Sequence, residues 1–152
     1  MAPAIPFSEL TTLQVGGPAR RLVTATTQRD LVDLAREAWQ EGEPWLALGG
    51  GSNLLVGDKG FDGTVIRVAT KGIEVLRRDV HDGAGADVHD DADAPDDGDS
   101  AASVRLRVQA GETWDDLVAW TVEHGYSGFE ALSGIPGSVG AAPVRSAPGR
   151  RG

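Results

Sequence analysis

Apolar and charged residues alternate strictly across Ala102 to Ala110, where Val104, Leu106 and Val108 are separated by Arg105 and Arg107. That two-residue period belongs to a strand with one buried face. A different period governs the stretch after Thr27: Leu31, Leu34, Ala35 and Ala38 recur at helical spacing, while Arg29, Asp33, Arg36, Glu37 and Gln40 fall elsewhere. This predicts one amphipathic helix of about four turns. Thr27 stands at its N-cap with Asp30 where a capping box needs its acid, and Gly42 ends it. Upstream, Leu10 to Val15 reads as a short strand that stops at Gly16-Gly17-Pro18, and Arg21 to Ala25 as a second. Downstream, the apolar run from Trp45 to Leu48 meets Gly49-Gly50-Gly51, so a glycine loop follows a buried strand. Ligands of open α/β sheets sit at that carboxyl end.

Two further strands are expected at Thr64 to Val68 and Ile73 to Arg77, both rich in β-branched residues. Gly111 breaks the alternating strand and Thr113 stands as the cap of a second helix. Asp115 and Asp116 lie in its first turn, where the helix dipole favours negative charge. Trp114, Leu117, Val118, Thr121 and Val122 are its expected inner face, and Gly125 its C-cap.

Two glycine-rich stretches carry candidate chemistry. In Gly49, Gly50, Gly51, Ser52, Asn53 and Leu54, adjacent glycines can bring bare N–H groups against an anion, and Ser52 and Asn53 add a hydroxyl and an amide. The same residues also read as an ordinary glycine-rich turn between two buried strands. In Ser133 to Pro143, Pro136 fixes the backbone, Gly137 permits a turn, and Ser138 stands as a cap for a short helix facing a second phosphate or a ring edge.

Charge changes the picture in one place. The formal net charge of −9 is concentrated between Asp79 and Ser100, which hold nine Asp and no Lys or Arg; elsewhere 14 acids face 14 bases. With almost nothing apolar to offset an ordering cost of roughly 1–2 kcal/mol per residue, this segment reads as a disordered insertion in a hairpin. Calcium is the other reading of Asp91, Asp93, Asp96, Asp97 and Asp99, but EF-hand spacing fails, because Pro95 falls on a ligand position when Gly98 takes the glycine place. No metal ligands are assigned. Lys and Arg form no basic face, which argues against nucleic acid. At 152 residues without cysteine, the chain is one domain's worth, free of disulfides and sulfur-based zinc sites. No apolar run approaches the ~20 residues of a membrane span, and the N-terminus lacks a leader pattern, so a cytoplasmic location is expected. His81 and His89 sit in the acidic segment and His124 at a helix end, so none is a candidate acid.

Four segments taken together, TTLQVGGPA at 11–19, LGGGSNLLV at 48–56, VQAGETWDDLV at 108–118 and LSGIPGSVGAAPV at 132–144, resemble UDP-N-acetylenolpyruvoylglucosamine reductase, also known as UDP-N-acetylmuramate dehydrogenase. The resemblance covers Ser8 to Val144 with the motifs in order. It implies an α+β fold, an FAD-binding domain of the PCMH/vanillyl-alcohol-oxidase type made of two small α/β subdomains. These would be residues 1–70 and 71–144, the second incomplete and carrying the acidic insertion at 79–100. By motif match, Gly49, Gly50, Gly51, Ser52, Asn53 and Leu54 would hold the FAD pyrophosphate. Ile135, Pro136, Gly137, Ser138, Gly140, Ala141 and Ala142 would line the cofactor from the other piece, and Thr12 and Gly17 would be structural.

The family's activity passes hydride from NADPH through FAD to the enolpyruvyl double bond of UDP-N-acetylglucosamine enolpyruvate, in peptidoglycan precursor synthesis. After Val144 the chain departs from the family pattern, and 145–152 is expected to be an aberrant tail with the substrate domain absent. A one-nucleotide shift in GC-rich codons for the family's Ile-Gly-Ala-Tyr yields the order found at Ser146, Ala147 and Pro148. The family's catalytic arginine, serine and glutamate lie beyond that point, so no catalytic residue is assigned and the chain alone is expected to be inactive. The alternatives are a free-standing FAD- or nucleotide-binding module without catalysis, and a scaffold for the acidic segment.

Overall fold

The computed structural model describes residues 5–79 and 103–142. Their contacts group into two compact units, one formed by the chain up to Ile73 together with that from Val108, the other by Glu74–Arg107.

The first unit is built on three parallel strands: β1 (Ala19–Ala25), β2 (Trp45–Leu48) and β3 (Phe61–Val68), with β3 in the centre. Helix α1 (Gln28–Gln40) connects β1 to β2. Its start is the expected one: Thr27 Oγ1 accepts from the Asp30 N–H at 3.1 Å, and the Asp30 carboxylate accepts from the Thr27 N–H at 3.1 Å. Leu31, Leu34, Ala35 and Ala38 are its less exposed residues, as their spacing predicts, and α1 packs on β1 and β3.

The registers Leu22↔Val65 and Leu46↔Val65 put these three side chains on one face, and Arg21↔Thr64 and Trp45↔Thr64 put those three on the other. Arg21 reaches Glu37 of α1 at 3.0 Å, which identifies the helix-covered face. The opposite face is closed by loops: Phe7, Leu10, Leu54 and Val56 pack with Ala19, Leu22, Leu46, Leu48, Phe61 and Val65 into the core cluster. The central strand is buried from Gly63 to Ile66, as a strand covered on both faces must be.

Two expectations in this unit are corrected. Leu10 to Val15 is not a strand: a 3-10 helix at Phe7–Glu9 runs into a turn, because Thr11 Oγ1 donates to the Phe7 carbonyl at 2.9 Å and Gln14 takes a φ of 53°. Leu13 and Val15, the face that the alternation would bury, are consequently exposed, while Leu10 and Thr11 are the residues that pack inward. The strand at Trp45 is not buried along its length either. As the β2 edge of the sheet it buries Leu48, whereas Trp45 and Ala47 are exposed.

The segment from Val108 leads into α2 (Trp114–Glu123), which buries Trp114, Leu117, Val118 and Thr121. Val122 is 55% exposed, against expectation, because it falls one residue past the buried stripe. Thr113 occupies the N-cap position without capping through its side chain; its neighbour Trp114 instead donates its backbone N–H to the Gly137 carbonyl at 3.0 Å. The Trp114 indole donates to the Leu132 carbonyl at 2.8 Å, fixing a second 3-10 helix, Glu130–Leu132, against α2.

The second unit contains a two-stranded sheet of β4 (Ile73–Asp79) and β5 (Ser103–Val108), and Arg107 pairs with Glu74 at 3.2 Å. Val104 and Leu106 are less exposed than Arg105 and Arg107, so the alternation marks the faces as expected. Most of the acidic segment, the last residues from Pro143 and the first four lie outside the described residues, and with them the expectations for the insertion and the tail. Among the described residues no group of acids or histidines is arranged to hold a metal, and no helix is long and apolar enough to cross a membrane.

Candidate functional site

The glycine loop leaves the carboxyl end of β2 directly after Leu48, at the end of the sheet where the parallel strands stop. It is held from below by the turn after Phe7: the Thr12 N–H donates to the Gly51 carbonyl at 3.1 Å. It meets the second glycine-rich stretch from the other side. Ser52 Oγ donates to the Pro136 carbonyl at 3.1 Å, across 84 positions of sequence.

The approach is close enough to explain why the residues are small. A Cβ on Gly50 would lie 3.2 Å from the Gly137 Cα, one on Gly49 2.5 Å from Ser138 Oγ, and one on Gly137 3.0 Å from Ser52 Oγ. The second stretch is itself anchored to the chain before α2. Val139 donates its N–H to the Glu112 carbonyl at 2.8 Å and Gly140 to the Ala110 carbonyl at 2.9 Å, where a Cβ on Gly140 would lie 2.7 Å from that of Ala110. Ser138 closes the following turn through its carbonyl, which accepts from the N–H groups of Ala141 and Ala142, and not through its hydroxyl.

Three clefts meet at Gly49 and Gly50. The first, about 350 Å³, is lined by Leu46 to Leu54 with Gly140 and Ala141. The second, about 330 Å³, lies between Ser52, Arg67, Lys71 and Thr113 and includes Pro136, Gly137 and Ser138. The third, about 310 Å³, is bounded by Glu9, Leu10, Thr11, Thr12 and Arg67. Thus Gly49, Gly50, Gly51, Ser52, Asn53 and Leu54 all line a cleft, as do Pro136, Gly137, Ser138, Gly140 and Ala141, whereas Ile135 and the buried Ala142 line none of the three.

Backbone donors are what these clefts offer. Among the described residues the N–H groups of Gly50, Gly51, Asn53, Gly137 and Ser138 donate to no protein acceptor. Gly51 and Ser138 are buried residues, and buried N–H groups are almost always paired, so a polar or anionic group from outside the chain suits them. Successive backbone N–H groups can hold an anion where they converge.

Sequence reasoning overlooked Arg67 and Lys71, and gave Thr12 a structural role although it lines two of the clefts. The available signal was positional: Arg67 is paired in register with Leu48, the last residue before the glycines. Gly17 does have the expected structural role, since a Cβ there would collide with the Asp58 carbonyl.

Comparison with known proteins agrees with this geometry. UDP-N-acetylenolpyruvoylglucosamine reductase of Leifsonia xyli is 49% identical over 92% of this chain and 32% of its own length. The protein of the same name from Cutibacterium acnes is 46% identical over 93% and 32%. The chain therefore spans about a third of the length of the curated relatives it matches. The crystal structure of UDP-N-acetylenolpyruvylglucosamine reductase from Thermus caldophilus superposes with a TM-score of 0.59 at 31% identity, covering 92% of this chain and 40% of that one. The family described as FAD binding domain matches residues 19–94 and 96–152. Parallel strands ending in a glycine loop, a second glycine stretch laid against it, and this match lead to one conclusion: the chain belongs to the FAD binding domain family.

Proposed function

We propose that the chain holds FAD over the junction of its two glycine-rich stretches, as the cofactor-binding portion of a UDP-N-acetylmuramate dehydrogenase. The observation that carries this is the meeting of Ser52 with Pro136 beside five unused backbone donors. In this reading Gly49, Gly50, Gly51, Ser52, Asn53 and Leu54 face the pyrophosphate, and Ile135, Pro136, Gly137, Ser138, Gly140, Ala141 and Ala142 come from the other side. The first set belongs to a subdomain of residues 1–70 and the second to one of residues 71–144.

The residues fit the group. The donors are neutral amides on a backbone already fixed by neighbouring loops, so little ordering entropy is lost when an anion binds. The half-buried Leu54 and the exposed Ala141 offer apolar surface for a ring. When bound, FAD supplies hydride transfer, here from NADPH to the enolpyruvyl double bond of a nucleotide sugar. The protein's share is to bind and orient the cofactor, and no residue of this chain is assigned to proton transfer. In this reading the cradle works in the cytoplasm in peptidoglycan precursor synthesis.

The test is a titration of the whole chain with FAD, followed by flavin fluorescence. Wild-type protein should bind, and Gly50→Val should weaken binding roughly tenfold or more. The added side chain meets Gly137 and forces the two stretches apart. Far-ultraviolet circular dichroism should show both helices retained. Equal affinity in the two proteins, or no binding by the wild type, removes the assignment.

A further inference from the structure

Of the two cations lining the three clefts, Lys71 is already engaged, its ammonium 3.2 Å from the carboxylate of Glu112. Glu112 is only 13% exposed at its side chain and also accepts from the Gly72 N–H at 2.6 Å, so this pair ties the exit of β3 to the segment before α2. Arg67 is different. It is exposed, borders two of the clefts with Gly49 and Gly50, and its guanidinium makes no hydrogen bond or ion pair with any described residue. Glu9 shares one cleft with it, yet no ion pair joins them.

Register explains the placement. Arg67 is two residues beyond Val65 on the same face of β3, and it stands beside Leu48, so it is the next position outward from the core on the side where the glycine loop departs. The loop amides satisfy lone pairs but do not neutralise charge. A pyrophosphate carries negative charge on both phosphates, and a guanidinium offers a planar fork that grips phosphate oxygens two at a time.

We infer that Arg67 is the charge-neutralising partner of the pyrophosphate at this junction and determines preference for a diphosphate-bearing ligand over an uncharged flavin. This rests on the cofactor reading above and adds a residue and a selectivity to it. Arg67 positions the ligand and takes no part in hydride transfer.

Three probes separate the possibilities: FAD, ADP, which keeps the diphosphate and lacks the flavin, and riboflavin, which keeps the flavin and lacks phosphate. Wild type, Arg67→Ala and Arg67→Lys are compared as whole chains. Arg67→Ala should lose roughly tenfold to a hundredfold in affinity for FAD and ADP. It should leave riboflavin binding and the urea midpoint unchanged. Arg67→Lys should recover part of the loss, and the salt dependence of FAD binding should be shallower in Arg67→Ala than in wild type.

Unchanged FAD and ADP affinity in Arg67→Ala overturns the inference while the cofactor reading stands. An equal loss for riboflavin also overturns it, since the effect would then be on the fold of the site. Wild-type protein that binds ADP but not FAD sinks the flavin reading, and the inference is then decided on ADP. Wild-type protein that binds neither overturns both.

Discussion

Gly42 and Gly51 adopt nearly the same left-handed backbone, φ 65° and 67°, in opposite surroundings. A Cβ on Gly42, after α1, would meet nothing within 4 Å, whereas one on Gly51 would collide with the Leu10 carbonyl and lie 3.0 Å from the Thr11 Cα. Conformational cost alone therefore applies to Gly42→Ala, about 1–2 kcal/mol, while Gly51→Ala adds displacement of the turn after Phe7. Urea melts should show a modest loss for the first and a clearly larger one for the second, with flavin binding impaired only in the second. Equal losses would mean that the turn yields freely. The same comparison separates two roles of glycine in the loop: Gly51 fits against the protein, while Gly50 borders all three clefts and leaves its N–H unused.

The two helices begin with the same residue type and differ in what it does. At α1, Thr27 and Asp30 satisfy each other's backbone N–H groups, so Thr27→Ala should cost about 1 kcal/mol. At α2, Thr113 makes no side-chain cap bond, and Thr113→Ala should change the melt by a few tenths of a kcal/mol at most. Similar losses at both sites would refute this distinction. Hydrogen bonding to Thr27 holds the Asp30 carboxyl below its ordinary value of 3.8. A group lowered on folding stabilises the native state above its unfolded value, and that contribution is lost as the pH falls through the lowered folded value. The stability difference between wild type and Asp30→Asn should accordingly be present at neutral pH and shrink in acid. A difference that grew in acid would reverse the sign and exclude the capping carboxylate as its source.

At the scale of the whole molecule, Glu74–Arg107 forms a compact unit of its own, in which β4 ends on Asp79, the first residue of the acidic segment. The Arg107–Glu74 pair there is exposed on both sides, so it adds little to stability. Removing residues 79–100 and joining Arg78 to Ala101 through a short turn should shift the urea midpoint only slightly, because loop closure changes by about 0.6 kcal/mol per doubling of length. Flavin affinity should be unchanged, since every residue assigned to the cofactor belongs to the other unit. A loss of several kcal/mol, or a melt that responds to calcium, would show that the segment has a structural part to play.

Local signals sufficed wherever a single element decides its own form. The spacing of Leu31, Leu34, Ala35 and Ala38, the Thr27–Asp30 box and the alternation at Val104 to Val108 marked the faces that the structure buries or exposes. Both glycine stretches were likewise visible, because glycine in runs has few other uses. What the sequence did not disclose depends on neighbours distant in the chain. Leu10 to Val15 has the pattern of a strand, yet it pairs with no described strand, and its N–H groups donate to the carbonyls of Phe7, Thr11 and Gly51 instead. The apolar run at Trp45 is half exposed because β3, later in sequence, takes the centre of the sheet. Arg67 reads as one charged residue in a β-branched run; only the register with Leu48 brings it to the glycine loop, and only tertiary contacts pair Lys71 and leave Arg67 unpaired. Periodicity is encoded over a few residues, but the partner of an edge, a carbonyl or a charge is settled by packing across the whole chain.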